Sequence, residues 1–402
     1  MKIDTMSKSV SFESYLSQQG VSRRSFLKYC AAMASLLALP ASAIPALSEK
    51  LRHAVRPSVI WLSFQECTGC TESLTRSHAP TIEELMFDYI SLDYHHTLQA
   101  ASGEAAEQAR IDTMNHSYGK YLLIVDGSIP IANGGVYSTI AGRTNLDILK
   151  ECSAGAAAVI AVGSCAAFGG LPAAEPNPTG ATSVASLMDM KLIAEKYLVN
   201  IPGCPPLPVA ISGVLAHYLA FDKFPALDEL KRPVNFYGNT VHERCSRYHF
   251  YKEEKFAESF DDEGARKGWC LYKLGCKGPV THNACAVHKW NKGTSFPVES
   301  GHPCIGCSEP DFWDRGGLYQ SMDDIAFAFK PVNETTDSAV EEGRNLYQDN
   351  CVYCHSTNAS EFEVDAENIS KLLRDNSIRA HRRLEFSNDQ IKILEAYLKS
   401  TK

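Results

Sequence analysis

The chain has 402 residues, 45% of them hydrophobic and 21% charged, the composition of a folded protein of two to four domains; this excludes a disordered one. A formal net charge of −8 leaves no basic footprint, which argues against a nucleic-acid partner. What stands out is the spacing of the 14 cysteines.

Residues 1–43 read as an export signal. Ser22-Arg23-Arg24-Ser25-Phe26-Leu27-Lys28 is a twin-arginine pattern, a modest apolar stretch follows from Tyr29 to Leu39, and Ala41-Ser42-Ala43 fits a small-residue cleavage site. The apolar stretch is short for a span of about 20 residues and Pro40 interrupts it, so a membrane anchor is not expected. The expectation is a periplasmic protein carried out folded and cofactor-loaded by the Tat route, with Cys30 leaving in the signal. An exported protein usually pairs its cysteines as disulfides. Here they sit as close pairs of the ligand type, and one group includes a histidine, which argues for metal.

Residues 57–230 alternate strand-like and helix-like segments. Ser58–Phe64, Tyr89–Tyr94, Tyr121–Val125, Ala157–Val162 and Leu198–Ile201 read as buried strands, with room for crossover helices between them. This pattern predicts an α/β fold, a flavodoxin-like doubly wound parallel sheet. The uncharged run Cys152–Ala174 fits a buried strand entering a glycine-rich loop better than a membrane span. Cys152 is expected to be a buried structural thiol.

Cys67 and Cys70 follow the first strand, Cys165 the fourth and Cys204 the fifth. All four therefore fall beyond the carboxyl ends of strands, the edge where open α/β sheets bind ligands. Four thiolates are what a [4Fe–4S] cube requires. A lone C-x2-C would equally fit zinc or thiol redox chemistry; the distant third and fourth cysteines narrow the reading.

From about residue 231 strand signals fade and Gly, Pro, His and Cys dominate up to Arg315. Such an irregular segment has little apolar core of its own, so metal clusters would act as its core. It carries a second set, His242, Cys245, Cys270 and Cys276, and a third, Cys285, Cys304 and Cys307. The neutral imidazole of His242 makes the second site less negative and adjusts its potential. His249 lacks the H-x2-C spacing and is read as structural. Three thiolates suit a [3Fe–4S] cluster.

A polar linker ending at 331–338 leads to a last, all-α unit, residues 339–402. Ala339–Asn350 looks helical, and Asn388–Ser400 is an amphipathic helix with Ile391, Leu394 and Leu398 on one face and a Ser387/Gln390 capping box. Between them Cys351-Val352-Tyr353-Cys354-His355 is a c-type haem attachment motif, with two thioethers and His355 as axial ligand. The unit resembles a small class I cytochrome c. Such cytochromes usually offer a methionine as second axial ligand, and no methionine follows His355. His381 stands about where it would fall, which predicts bis-histidine ligation and a lower potential. A five-coordinate haem or a ligand from a partner remains open.

Three contexts carry a family resemblance: Glu66-Cys67-Thr68-Gly69-Cys70-Thr71-Glu72, Gly163-Ser164-Cys165-Ala166-Ala167-Phe168-Gly169-Gly170 and Pro202-Gly203-Cys204-Pro205-Pro206. It continues through Val241-His242-Glu243-Arg244-Cys245, Gly268-Trp269-Cys270, Gly275-Cys276-Lys277-Gly278-Pro279 and Gly301-His302-Pro303-Cys304-Ile305-Gly306-Cys307 to Phe312-Trp313-Asp314. Over roughly residues 57–320 the chain resembles the small subunit of [NiFe] hydrogenases. The resemblance implies a proximal [4Fe–4S] cluster on the first set, a distal [4Fe–4S] cluster on the second and a medial [3Fe–4S] cluster on the third, with Pro297 where a fourth ligand would stand. It also implies a separate large subunit holding the nickel–iron site, so that this chain carries electrons and does not itself split hydrogen. Glu66 and Thr68 match residues proposed to relay protons; they equally fit simple hydrogen bonding near the cluster. Gly69 and Gly170 occupy the positions where oxygen-tolerant members have extra cysteines, which implies an ordinary cluster and an oxygen-sensitive enzyme.

The haem motif departs from the many small subunits that end soon after Phe-Trp-Asp or continue into a membrane anchor. The resulting expectation is a periplasmic uptake hydrogenase whose electrons pass through three clusters and a haem to a soluble or membrane-bound cytochrome. A hydrogen sensor and a stand-alone electron carrier are the rival readings. An exported, haem-bearing chain fits a sensor poorly.

Overall fold

The computed structural model describes residues 56–78 and 80–325, with only scattered positions between 27 and 49 and between 346 and 397. Most of residues 1–43, the linker at 331–338, the haem motif with Cys351, Cys354 and His355, and His381 and Ser387 lie outside the described residues. The chain divides into two compact units, Met1–Asp323 and Asp324–Lys402. In the second, Gln390–Leu394 is helical, with Ile391 and Leu394 buried as the amphipathic pattern requires.

Five strands form the sheet of the first unit: β1 Ser58–Ser63, β2 Ser91–His95, β3 Leu122–Asp126, β4 Ala158–Val162 and β5 Leu198–Ile201. All neighbours pair parallel, in the order β2-β1-β3-β4-β5. This is the flavodoxin-type order, and its ligand crevice lies beyond the carboxyl ends of the strands. The continuous apolar runs have a direct cause, because both faces of the sheet are covered. Val59, Trp61, Leu122, Ile124, Ile160 and Val199 pack into one apolar cluster, while Ile60, Leu62, Leu123, Val125, Val159 and Leu198 pack into the other.

The helices that position the site are α1 Gly69–Thr75, α2 Glu104–His116, α3 Asn145–Ala154, α4 Gly163–Phe168, α5 Val184–Asp189 and α6 Pro208–Phe221. Two boundaries differ from the sequence reading. β2 begins at Ser91, not Tyr89, because a Thr81/Glu84 capping box starts a helix that widens into a π-helical turn over Leu85–Tyr89. The run after β4 first makes α4 and only then reaches Gly169 and Gly170. Among the described residues no helix is long and apolar enough to cross a membrane. Cys30 and Ala34 belong to the first apolar cluster of the full-length chain.

Cys152 is buried on α3, where its sulfur accepts from Arg110 Nη1 at 3.2 Å; burial pushes its pKa up to about 11. Arg110 is itself buried on α2 and pairs with Glu107 at 2.8 Å and Glu151 at 3.0 Å. Arg110→Ala removes the charge that two acidic groups share, and is expected to cost about 3 kcal/mol. The midpoint of denaturant unfolding measures it.

Residues 231–325 form no further strand of the sheet, and their helices are five residues or shorter. Their apolar core is small: Val241, Ala257, Leu271, Leu274, Cys276, Phe296 and Val298. Buried and half-buried basic side chains hold the loops. Arg232 binds Asp228 at 2.8 Å, Glu309 at 3.0 Å and the Ser308 carbonyl at 3.2 Å. Arg247 donates to the Trp269 carbonyl at 2.7 Å, and Lys277 to the Arg315 carbonyl at 2.9 Å.

Candidate metal-cluster sites

The first set converges at the carboxyl edge of the sheet. Thr68 sits between Cys67 and Gly69 in a left-handed conformation, φ 67°, and α1 starts directly after it. A β-branched residue rarely adopts this conformation, which here turns the chain between two ligand-type sulfurs. Cys165 lies on α4 beyond β4, and Cys204 follows β5. Gly163, φ +85°, admits Cys70, since a Cβ there would run into the Cys70 sulfur.

The four thiols are near enough to raise one another's pKa values. Burial first, then the charges of Asp126, Cys165, Cys204 and Cys67, push the Cys70 thiol well up. Burial, then Cys204 and Cys67, push Cys165 up to about 12. Four such sulfurs ionise together only around a compensating positive core. Cys67 is exposed, so the set lies at the surface of this chain.

The second set lines one small cavity: His242, Cys245, Cys270 and Cys276, walled by Val241, Leu271 and Val298. The His242 ring meets Tyr248 and Tyr251 edge-on, with centres 4.9 and 4.5 Å away. Burial lowers its pKa and favours the neutral imidazole, the form that ligates metal. His249 is exposed and instead bonds the Ser246 carbonyl of its own turn at 3.0 Å.

Cys285, Cys304 and Cys307 line a cavity of about 570 Å³ together with Trp290, Phe296 and Pro297. Pro297 is at the cavity wall and has no atom that ligates iron. His302 also lines it, but both its ring nitrogens are engaged, with the Pro303 carbonyl at 2.8 Å and the Tyr319 hydroxyl at 2.9 Å.

Donors are aimed at the sulfurs. The Trp290 side chain lies beside Cys285, the Gly306 N–H beside Cys304, and the Tyr272 and Leu271 N–H groups beside Cys270, while the Thr281 hydroxyl donates to the Lys277 carbonyl at 2.5 Å. Such donors favour thiolates and tune the potential of a cluster bound there. Among the described residues no three His, Cys, Asp or Glu groups close around a single ion. Each set offers three or four thiol or imidazole donors, the number that an iron–sulfur cluster takes.

The sets are also joined to one another. Cys204, from the first, lines the same cavity as Cys285, Cys304 and Cys307 of the third. The Cys304 N–H of the third donates to Cys276 Sγ of the second at 3.3 Å. First, third and second sets therefore form one series.

Glu66 is half-buried. Burial raises its pKa, Thr68 donates to its Oε1 at 3.2 Å, and its Oε2 is buried with no hydrogen-bond partner among the described residues. Asp126 is a residue that sequence reasoning misses. It ends β3, fully buried, and burial and the Glu66 charge push its pKa up to about 7. A carboxylate closing the apolar run Leu122–Val125 is the signal that could have found it.

Two family models match the chain. "NADH ubiquinone oxidoreductase, 20 Kd subunit" matches over residues 67–218, and the C-terminal region of the NiFe/NiFeSe hydrogenase small subunit matches over 237–320. The hydrogenase-1 small chain of Citrobacter freundii is 45% identical over 314 residues, 78% of this chain and 82% of that one. The periplasmic [NiFe] hydrogenase small subunit 1 of Nitratidesulfovibrio vulgaris is 46% identical over 77% of this chain and 96% of its own length. A solved structure of the reduced, active Ni-Fe-Se hydrogenase of Desulfomicrobium baculatum superposes with a TM-score of 0.62 at 38% identity, covering 66% of this chain and 99% of that one. With this identity and coverage, and a parallel sheet that presents ligand-type cysteines at its carboxyl edge, the chain belongs to the small-subunit family of [NiFe] hydrogenases.

Proposed function

We propose that this chain is the electron-transfer subunit of a periplasmic, hydrogen-oxidising [NiFe] hydrogenase. Cys67, Cys70, Cys165 and Cys204 hold a proximal [4Fe–4S] cluster; Cys285, Cys304 and Cys307 hold a medial [3Fe–4S] cluster; His242, Cys245, Cys270 and Cys276 hold a distal [4Fe–4S] cluster. The observation that carries this is the contact between successive sets: Cys204 shares one cavity with Cys285, Cys304 and Cys307, and the Cys304 N–H donates to Cys276 Sγ. The clusters, when bound, supply one-electron redox chemistry. The chain's own residues fix the spacing between them, keep water out, and donate hydrogen bonds to the sulfurs. The large subunit holds the nickel–iron centre and covers the exposed Cys67 edge. Glu66, with one carboxylate oxygen free and a raised pKa, suits proton exchange with that partner, and Thr68 orients it.

In this reading residues 1–43 are a Tat signal, 57–230 the sheet domain, 231–320 the iron–sulfur domain, 321–338 a linker and 339–402 a c-type haem domain. The wire would then leave through haem c, bound by Cys351, Cys354, His355 and His381, to a soluble or membrane-bound cytochrome. Purification from an expressing host tests it. A nickel-bearing large subunit that co-purifies, with iron sufficient for three clusters, is expected; a nickel-free monomer overturns it. For the haem, His381→Ala is expected to abolish the low-spin EPR signal while the pyridine haemochrome stays intact. An unchanged low-spin signal removes His381 from the ligand set.

A further inference from the structure

Ser164 stands between Gly163 and Cys165 and is 1% exposed. Its N–H donates to the Gly203 carbonyl at 2.9 Å, and the Gly203 N–H returns a bond to Ser164 Oγ at 2.9 Å. Its hydroxyl proton goes to the Cys307 carbonyl in a short hydrogen bond. One side chain thus ties three loops, each next to a ligand: Cys165 on α4, Cys204 after β5, and Cys307 far along the chain. The hydroxyl accepts one bond and donates one, so both roles are filled. Beside this tie Cys204 and Cys307 line one cavity, where the first and third sets meet.

We infer that Ser164 is a positioning residue for electron transfer between the proximal and medial sites. It ligates nothing. It holds the Cys204 loop against the Cys307 loop, so that the spacing between the two sets is kept. The step it serves moves one electron from the first set to the third, with no bond made or broken and no proton transferred. An apolar side chain would leave the Gly203 N–H and the Cys307 carbonyl buried and unpaired, and the two loops would part to find other partners. The link between the third and second sets, from the Cys304 N–H to Cys276, does not involve Ser164 and serves as an internal reference.

The inference rests on the cluster assignment proposed above. The test uses the purified heterodimer, as wild type, Ser164→Ala and Ser164→Thr. Cluster iron is measured first, then the EPR splitting of the reduced proximal cluster's signal by the reduced three-iron cluster, and the redox titration of each cluster. Ser164→Ala is expected to retain iron in all three sites, to lose most of the proximal–medial splitting, and to leave the distal titration unchanged. Full iron with wild-type splitting overturns the role. If Ser164→Ala fails to load, Ser164→Thr, which keeps the hydroxyl, decides: wild-type splitting supports the role, and lost splitting in a loaded protein overturns it. A wild-type protein without a three-iron signal would refute the cluster assignment instead, a different failure.

Discussion

Cys276→Ala is expected to unfold most of residues 231–325 while the sheet stays folded. Twelve apolar side chains of that segment are buried, only seven of them in a cluster of its own, and Cys276 is one of those seven. Ordering a backbone costs roughly 1–2 kcal/mol per residue, far more over such a length than so small a cluster returns. The difference falls to bound metal, as in other small metal-dependent domains. Cys276 is the ligand with the widest effect. Its sulfur accepts from the Cys304 N–H at 3.3 Å and from the Gly278 N–H. Its loss therefore strips the second set of a ligand and frees the loop that carries the third. Limited proteolysis is the measurement. Rapid cleavage beyond residue 231, with a resistant fragment spanning the sheet and iron reduced to that of the first site, is the expected result. A variant cleaved no faster than wild type would mean that Arg232, Arg247 and Lys277 hold the segment without metal.

The contrast between the two halves explains what can be read from the chain. Five strands are legible because each is buried on both faces, which writes an unbroken apolar run into the sequence. The three cysteine sets stand out as candidates because thiolates bind metal only at a few spacings. The joints between the sets do not. Ser164 meets Cys307 across 143 positions and Arg232 meets Glu309 across 77, and nothing local marks either pairing. Thr68 is legible as a neighbour of Cys67, but its left-handed backbone is not, since a threonine there runs against its own preference. The start of β2 misleads for a related reason: Tyr89 has strand propensity, yet the capping box at Thr81 extends helical structure through it.

The same local geometry separates two substitutions that look equivalent on paper. Gly69→Cys and Gly170→Cys would each introduce a cysteine at a position where the family resemblance places one in oxygen-tolerant members. Gly69 opens α1 with ordinary helical backbone, and a Cβ there stands 3.2 Å from Cys67 Sγ and 3.9 Å from Pro205. A few tenths of an ångström of adjustment admits it, so Gly69→Cys is expected to fold, load iron and assemble, with a changed proximal potential. Gly170 has φ +64° and ψ −163°, a region essentially reserved for glycine, and a Cβ there lies 2.6 Å from both the sulfur and the Cα of Cys165. Strain and overlap together are expected to cost about 3 kcal/mol or more, and the collision falls on a proximal ligand. Gly170→Cys should therefore lose proximal iron and thermal stability. Iron analysis and the melting temperature of the two purified heterodimers compare them directly; equal stability would show that the loop after α4 rearranges freely. If the difference holds, the backbone at Gly170 itself resists a cysteine, and placing one there requires the loop from Gly169 to Ala173 to be rebuilt before the added thiol can stand beside Cys165.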